Sequence, residues 1–431
     1  MTNIIIMNKQ VYLDHAATTP VDKKVLREMM PYFSDRYGNA SSLHFFGQEA
    51  SQAVEKARMQ VAKYFNANLN EIIFTSGATE SNNLAIKGVL RACYQKPPGG
   101  FLSHRVASKG ASKPHIITTT FEHHCVLNTI KELEKENLIE TTFINPKKDG
   151  VINVEDIKNA IKSNTILISV MYVNNEIGTV QPIAEIGKII HETRNTKHET
   201  KSNGYPIFHT DATQAVAYFD CDVEKLGVDL LSMSAHKIYG PKGVGVLYIK
   251  KGLNIAKIQD GGAQEFGMRA GTINTSGIVG LGSAISMIND QRTTNNEKIK
   301  KLRDYLIAKI LKEIPDSRLN GSKIKRSPNN VNVNFSRVEG ESLLMMLSSE
   351  GVFASTGSAC SSGSLSPSHV LLSLGLKPEE THGSLRLTLG KNTTKKEIDY
   401  VVKVIKRSVE KLRKVSGSVL KDYYKSMKHE A

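Results

Sequence analysis

The 431 residues carry 57 Lys and Arg against 42 Asp and Glu, a formal charge of +15, with 40% hydrophobic and 23% charged residues. That composition excludes a disordered chain, and no apolar run nears the roughly 18 residues that a membrane span needs. Four cysteines without a CxxC pair exclude a disulfide scaffold or zinc ribbon and point to a reducing compartment, the cytoplasm.

In chain order, the first ten residues, MTNIIIMNKQ, show neither signal nor transit features. Strand-length apolar runs follow at 71–75, 115–119, 165–172, 207–211, 228–232 and 244–249. Between them lie amphipathic stretches at 51–65, 80–93, 125–136 and 183–193. This alternation predicts an α/β domain whose mostly parallel sheet is sandwiched by helices. Residues 96–114 and 195–205, polar and rich in turn formers, read as inserted surface loops. Past about residue 290 the texture changes to a long charged helix at 295–314, a strand at 331–335 and a helix at 340–349. A Gly/Ser loop and a final helix from 394 to about 415 complete a smaller α+β domain. We divide the chain into a large domain, 24–290, and a small one built from 1–23 and 291–431. The lysine-rich tail reads as a solvated helical face with a frayed end. It lacks the like-charge blocks and aromatic interleaving of a nucleic-acid arm, so no direct nucleic-acid contact is expected.

The densest chemical signal is Ser234-Ala235-His236-Lys237, directly after an apolar strand. A buried ammonium is costly unless it is paired, deprotonated or converted to a Schiff base, and those are the states of a nucleophile or base. Taken alone, Lys237 reads more simply as an exposed loop lysine. A second strand, however, ends in His209-Thr210-Asp211, at the edge where open α/β sheets bind ligands. An Asp facing a pyridine nitrogen and a Schiff-base Lys are what pyridoxal phosphate requires. Thr75-Ser76-Gly77-Ala78-Thr79 adds a strand, a small-residue turn and a helix start suited to a phosphate, although a plain helix cap explains it equally well.

The cysteines separate by context. Cys93 and Cys221 sit in helical or apolar surroundings and read as structural. Cys125 starts a helix beside His123 and His124, a place where a thiol pKa is expected to fall. A metal cluster of these three is disfavoured because adjacent side chains point apart. Cys360 stands in Ser355-Thr356-Gly357-Ser358-Ala359-Cys360-Ser361-Ser362-Gly363, a setting that suits a nucleophile required to move between two positions.

With these residues in view, the chain resembles the cysteine desulfurases, fold-type I pyridoxal-phosphate enzymes of the class V aminotransferase group. The resemblance runs from Tyr12-Leu13-Asp14-His15-Ala16 to about Asp399 and includes Glu122-His123, Asn174-Asn175-Glu176, Gly267-Met268-Arg269-Ala270-Gly271-Thr272 and Val338-Glu339-Gly340. It implies pyridoxal 5'-phosphate held by Lys237, with Asp211 at the ring nitrogen, Gln214 at the phenolic oxygen and Asn175 beside the ring. His123 would stack on the ring and relay a proton. Ala78, Thr79, Ser234 and His236 would hold the phosphate, joined by Thr272 from the partner subunit of a homodimer. Arg386 would grip the carboxylate of L-cysteine, with Asn175 nearby, and Cys360 would carry the persulfide. Without the resemblance, His123 reads as a helix cap, Thr272 as the cap of a helix near Asn274, and Arg386 as a strand-edge residue.

The implied activity converts L-cysteine to alanine and passes sulfur to an iron-sulfur scaffold or a tRNA-thiolation relay. The alternatives are a selenocysteine lyase or another class V aminotransferase. No resident metal is implied, an iron-sulfur cluster meeting Cys360 only during transfer. Ala40, Ala263 and Phe266 depart from the family pattern and leave local loop shape open.

Overall fold

A computed structural model describes residues 10–94, 112–196, 205–356 and 367–429. Cys360 lies outside the described residues, as do most of the two expected surface loops. The strands are β1 (Val11–Tyr12), β2 (Ile72–Thr75), β3 (His115–Thr119), β4 (Glu140–Ile144), β5 (Thr165–Ser169), β6 (Ile207–Asp211), β7 (Leu230–Ser234), β8 (Gly245–Ile249), β9 (Ser317–Leu319), β10 (Asn330–Phe335), β11 (Val352–Phe353) and β12 (Ser384–Thr388). The helices are α1 (Lys23–Met29), α2 (Pro31–Ser34), α3 (Phe45–Phe65), α4 (Ala78–Tyr94), α5 (His124–Lys135), α6 (Val154–Ala160), α7 (Ile183–Thr196) and α8 (Val223–Leu226). They continue with α9 (Thr275–Glu313), α10 (Gly340–Ser349), α11 (His369–Ser373), α12 (Pro378–Thr381) and α13 (Lys395–His429).

Seven strands form the main sheet in the order β2-β8-β7-β6-β5-β3-β4. Only β8 runs antiparallel to its neighbours, so the sheet is mostly parallel as expected. Both faces are covered, which is why these strands read as continuous apolar runs. Ile73, Ile116, Leu167, Ile207 and Leu230 pack on Leu84 and Val89 of α4 and Val126 and Ile130 of α5. Their neighbours Phe74, Ile117, Ile168, Phe208 and Leu231 face the other way, against α3, α7 and α9. A separate core forms where Val331, Val333, Leu385 and Leu387 of the antiparallel sheet β12-β10-β9 meet Val401, Val402 and Ile405 of α13. Val11 and Leu13 join this second core, and β1 pairs in parallel with β11, so the N-terminal segment packs with the C-terminal one.

Several elements differ from the expected ones. α9 is one 39-residue helix that begins at Thr275, twenty residues before the expected start. Its first half carries glycines that blur the helical pattern yet serve packing: a Cβ on Gly280 would meet Met29 Sδ at 2.5 Å, and one on Gly282 would meet Ala57 Cα at 2.8 Å. α13 continues past residue 415 to His429, and α7 runs on to Thr196, where a loop was expected. β7 sits two residues later than expected, so Ser234 ends the strand itself. Among the described residues, no helix is long and apolar enough to cross a membrane.

Candidate active site

A cavity of about 620 Å³ opens where β6 and β7 end and α4 begins, the C-terminal edge at which open α/β sheets take ligands. Its lining brings together Ala78, Thr79, His123, Asn175, Asp211, Gln214, Ser234, His236, Lys237 and Arg386. Every expected site residue is therefore there except Thr272, which lies outside the lining, and Cys360, which lies outside the described residues.

One turn of 3-10 helix, Ala235–Lys237, carries the lysine from the end of β7 into the cavity. Its Nζ donates to the carbonyls of Ala16 and Ala17 at 2.6 Å each, so the exposed-loop reading of Lys237 does not hold. Gln214 Nε2 donates to the same Ala16 carbonyl at 2.9 Å. The N-terminal segment is locked here because Thr19 N and Oγ1 both donate to His236 O, at 2.8 and 2.9 Å. Glycine at 245 is required behind this corner, since a Cβ there would sit 2.6 Å from Gly77 Cα.

Asp211 is buried at the end of β6. Its Oδ1 accepts from Thr213 N at 2.9 Å and its Oδ2 from Asn82 Nδ2 at 2.8 Å. Asn82 is fully buried on α4 and was not singled out in the sequence. Its signal was there to be read: a polar side chain on the largely apolar buried face of α4, one turn past the proposed anion site. His123 meets the helix-cap reading and also faces the cavity. It is the N-cap of α5, accepting from Cys125 N, and its ring lines the cavity. Burial lowers its pKa, with Asp211 opposing and Lys237 reinforcing the shift. The expectation for Cys125 is corrected: burial and the Asp211 charge push its thiol up to about 12, so it is not an activated thiolate.

At the other end, Ala78 and Thr79 at the start of α4 line the cavity together with Ser234 and His236, and the first N–H groups of a helix lack intrahelical partners. Burial and the nearby Lys237 and Lys242 charges hold His236 down at about 4, so it is neutral near pH 7. Glu80 would repel an anion at this end. Burial tends to raise its pKa, but bonds from Arg269 and Ser76 hold it lowered, and Arg269 Nε pairs with it at 2.9 Å.

Arg386 reaches the cavity from β12 and is 3% exposed. Its Nη1 donates to Asn175 O at 3.0 Å and its Nη2 to Asp14 Oδ1 at 2.8 Å. Arg386 Nε, Asn175 Oδ1 and Thr213 Oγ1 are buried with no hydrogen-bond partner among the described atoms. Orphaned polar groups in one cavity, a carboxylate at one end and N–H donors with a lysine at the other, fit a ring-nitrogen cofactor bearing a phosphate.

Two buried acids beside the cavity, quoted above as part of the resemblance, had been given no role. Burial raises Glu122 to about 8 and Glu176 to about 7. Ser368 Oγ donates to Glu176 Oε2 at 2.5 Å, and Glu176 follows the Asn175 that receives Arg386. Both acids lie on buried turns between elements, where neither helical nor strand periodicity marks them.

Thr272 is exposed, and the cap of α9 is Asn274, which accepts from Gly277 N at 3.1 Å. The helix-cap reading of Thr272 is therefore corrected. Upstream, Glu265 and Phe266 hold φ values of +47° and +56°, unusual for residues with a side chain. The Glu265 carboxylate pairs with buried Arg58 at 2.8 Å and accepts from Phe74 N at 2.7 Å. The Phe266 ring, one of the departures from the family pattern, lies 5.0 Å from the Arg58 guanidinium carbon.

Comparison with known proteins agrees with this geometry. The family profile of the class-V aminotransferases matches residues 11–401. Cysteine desulfurase IscS of Clostridium botulinum (strain Hall) is 49% identical over 422 residues, covering 97% of this chain and 99% of that protein. Cysteine desulfurase IscS of Methanosarcina thermophila is 46% identical, covering 98% of this chain and 97% of its own length. Among solved structures, a NifS-like protein superposes with a TM-score of 0.81 at 34% identity, covering 93% of this chain and all of that one. SspA in complex with cysteine does so with a TM-score of 0.73 at 35% identity, covering 90% of this chain and 100% of that one.

Proposed function

The chain belongs to the class-V aminotransferase family and is a pyridoxal-phosphate-dependent cysteine desulfurase, and from that premise we propose how its residues divide the work. Lys237 anchors the cofactor, Asp211 holds the ring nitrogen, Gln214 the phenolic oxygen, and Ser234, His236 and the Ala78–Thr79 turn hold the phosphate. Bound there, pyridoxal phosphate supplies a conjugated ring that draws electrons from the α-carbon of an amino acid. The observation that carries the reading is the convergence of Lys237, Asp211, His123 and Arg386 on one cavity.

The guanidinium of Arg386, fixed by Asn175 O and Asp14, binds the carboxylate of L-cysteine and presents its Cα to Lys237. Lys237 Nζ, once it no longer anchors the cofactor, takes the Cα proton. His123 moves a proton at the substrate. Cys360 then forms a sulfur–sulfur bond to the substrate as the Cβ–S bond breaks. The electron pair of that bond stays with carbon, which takes a proton and leaves as alanine. Cysteine plus one thiol thus becomes alanine plus one persulfide, and no outside oxidant or reductant enters.

The same reading extends to the assembly. Thr272, exposed at the mouth of α9, completes the phosphate site of a second copy in a homodimer. Exposed Met30, Phe33, Tyr37, Phe45 and Phe266 support such a contact. The division into a 24–290 domain and a second one from 1–23 and 291–431 puts Cys360 and Arg386 on the smaller unit and Lys237 on the larger. The persulfide then passes to an iron-sulfur scaffold or a tRNA-thiolation relay in the cytoplasm. Cys93, Cys125 and Cys221 form no disulfide among the described residues, which is compatible with that reducing setting.

The test is a visible spectrum of the purified protein before and after L-cysteine, with alanine and sulfide quantified, for wild type and Lys237→Ala. Wild type should change its spectrum and release alanine. Lys237→Ala should lose at least about a hundredfold in rate while keeping its fold. Alanine released at the wild-type rate by the variant would overturn the assignment of Lys237. A keto acid in place of alanine would return the site to an aminotransferase.

A further inference from the structure

Four side chains behind the cavity form a row whose hydrogen-bond directions can be worked out one by one. His123 caps α5, so Cys125 N–H donates to His123 Nδ1 at 3.2 Å. A ring nitrogen that accepts a hydrogen bond carries no proton, so the proton of the neutral imidazole sits on Nε2. Cys125 Sγ lies 2.9 Å from the same Nδ1. With that nitrogen bare, the hydrogen between them belongs to the thiol. The sulfur in turn accepts from Asn82 Nδ2 at 3.0 Å, and the same amide donates to Asp211 Oδ2 at 2.8 Å. An amide NH2 only donates and a carboxylate accepts, so no bond in the row Asp211–Asn82–Cys125–His123 can be reversed.

We propose that Cys125 is a positioning residue whose thiol, added to the backbone cap, locks His123 in the Nε2–H tautomer and makes its Nδ1 a poor base. The high thiol pKa of about 12 agrees with a sulfur that stays protonated and donates. Protonating Nδ1 would cost both incoming bonds, on top of burial. Of the charged groups facing the ring, Asp211 favours the imidazolium, while Lys237, His124 and Arg386 oppose it. The catalytic consequence rests on the proposed role of His123, because only Nε2 can then serve as its donor toward substrate. The tautomer itself does not depend on that role.

The experiment is long-range proton–nitrogen NMR of histidine-labelled holoenzyme across pH, on wild type, Cys125→Ala and Cys125→Ser, with His123→Gln assigning the signals. The wild-type ring should be protonated on Nε2 and bare on Nδ1 near neutral pH. In Cys125→Ala the backbone cap survives but the thiol donor is gone, so the His123 pKa should rise by about one unit, a tenfold gain in basicity. Cys125→Ser, whose hydroxyl donates to the same nitrogen, should restore most of the depression. A merely structural cysteine would leave the titration unmoved in all three. A wild-type ring protonated on Nδ1, or Cys125→Ala titrating like wild type, would overturn the proposal. If Cys125→Ala does not fold, Cys125→Val takes its place: it keeps the backbone cap without a side-chain donor and should raise the His123 pKa as alanine would, and a valine variant titrating like wild type would overturn the proposal. The catalytic reading fails separately, through full alanine production by His123→Gln.

Discussion

Asn82 has no exposed surface, and its two amide hydrogens are divided between Asp211 and Cys125. Without it, the Asp211 carboxylate keeps the backbone bond from Thr213 N and loses a charge-assisted side-chain donor. Such a bond is worth about 1.5–3 kcal/mol. Asn82→Ala should therefore slow alanine formation about tenfold to a hundredfold, measured in steady state with pyridoxal phosphate in excess. Unchanged turnover would show that Thr213 N alone orients the carboxylate. The contrast with Lys237 and Asp211 is instructive. Asp211 ends an apolar strand and Lys237 follows one by a single turn, where a charged residue stands out in the sequence and the fold dictates that it faces a ligand edge. Asn82 sits within a helix, and only the three-dimensional register of α4 against β6 reveals what it touches. Cys125 misled for a related reason. A helix start suggested a lowered thiol pKa, but burial outweighs the helix terminus.

Among the elements, the turn around Glu265 shows how strain is held in place. Glu265 and Phe266 occupy left-handed backbone conformations, and what compensates is a buried ion pair with Arg58 of α3. Both side chains of that pair are 3% exposed. Arg58 also lies over the Phe74 ring and under Phe266, so the departure from the family pattern at 266 covers a cation. Removing one partner leaves a buried charge alone, which costs about 3–5 kcal/mol. Arg58→Met should lower stability by that amount in urea unfolding, and adding Glu265→Gln should recover part of the loss. Additive losses in the double variant would mean that the pair is not coupled. The main-sheet strands were legible because burial on both faces makes them continuous apolar runs. β4 was not, since it is an edge strand whose Glu140, Thr141 and Thr142 are not buried. β12 entered the reading only as the strand that carries Arg386, because that arginine interrupts its apolar pattern.

At the scale of the whole molecule, α9 joins the two cores: Ile278 and Leu281 lie in the first, and Leu306 and Ile310 in the second. Sequence texture marked only its charged second half, because Gly277, Gly280 and Gly282 mask the packed first half. Residues 1–23 were grouped with the C-terminal unit, yet nothing local marks that this segment pairs with β11 more than 300 residues away while handing Ala16 and Ala17 to Lys237. Long-range pairing of that kind leaves no local signature. The homodimer proposal makes a test at the same scale. If Thr272 completes a partner's site, co-refolding equal amounts of Lys237→Ala and Thr272→Val, each inactive alone, places both defects in one site of a mixed dimer. About a quarter of the wild-type activity should return. No recovery would contradict the shared site. The central claim is sulfur transfer from cysteine to Cys360, and peptide mass spectrometry after a single turnover with L-cysteine tests it most directly. The account requires one added sulfur on the peptide that contains Cys360 and one alanine released for each. Sulfur on Cys125, or alanine without any sulfur on Cys360, would contradict it.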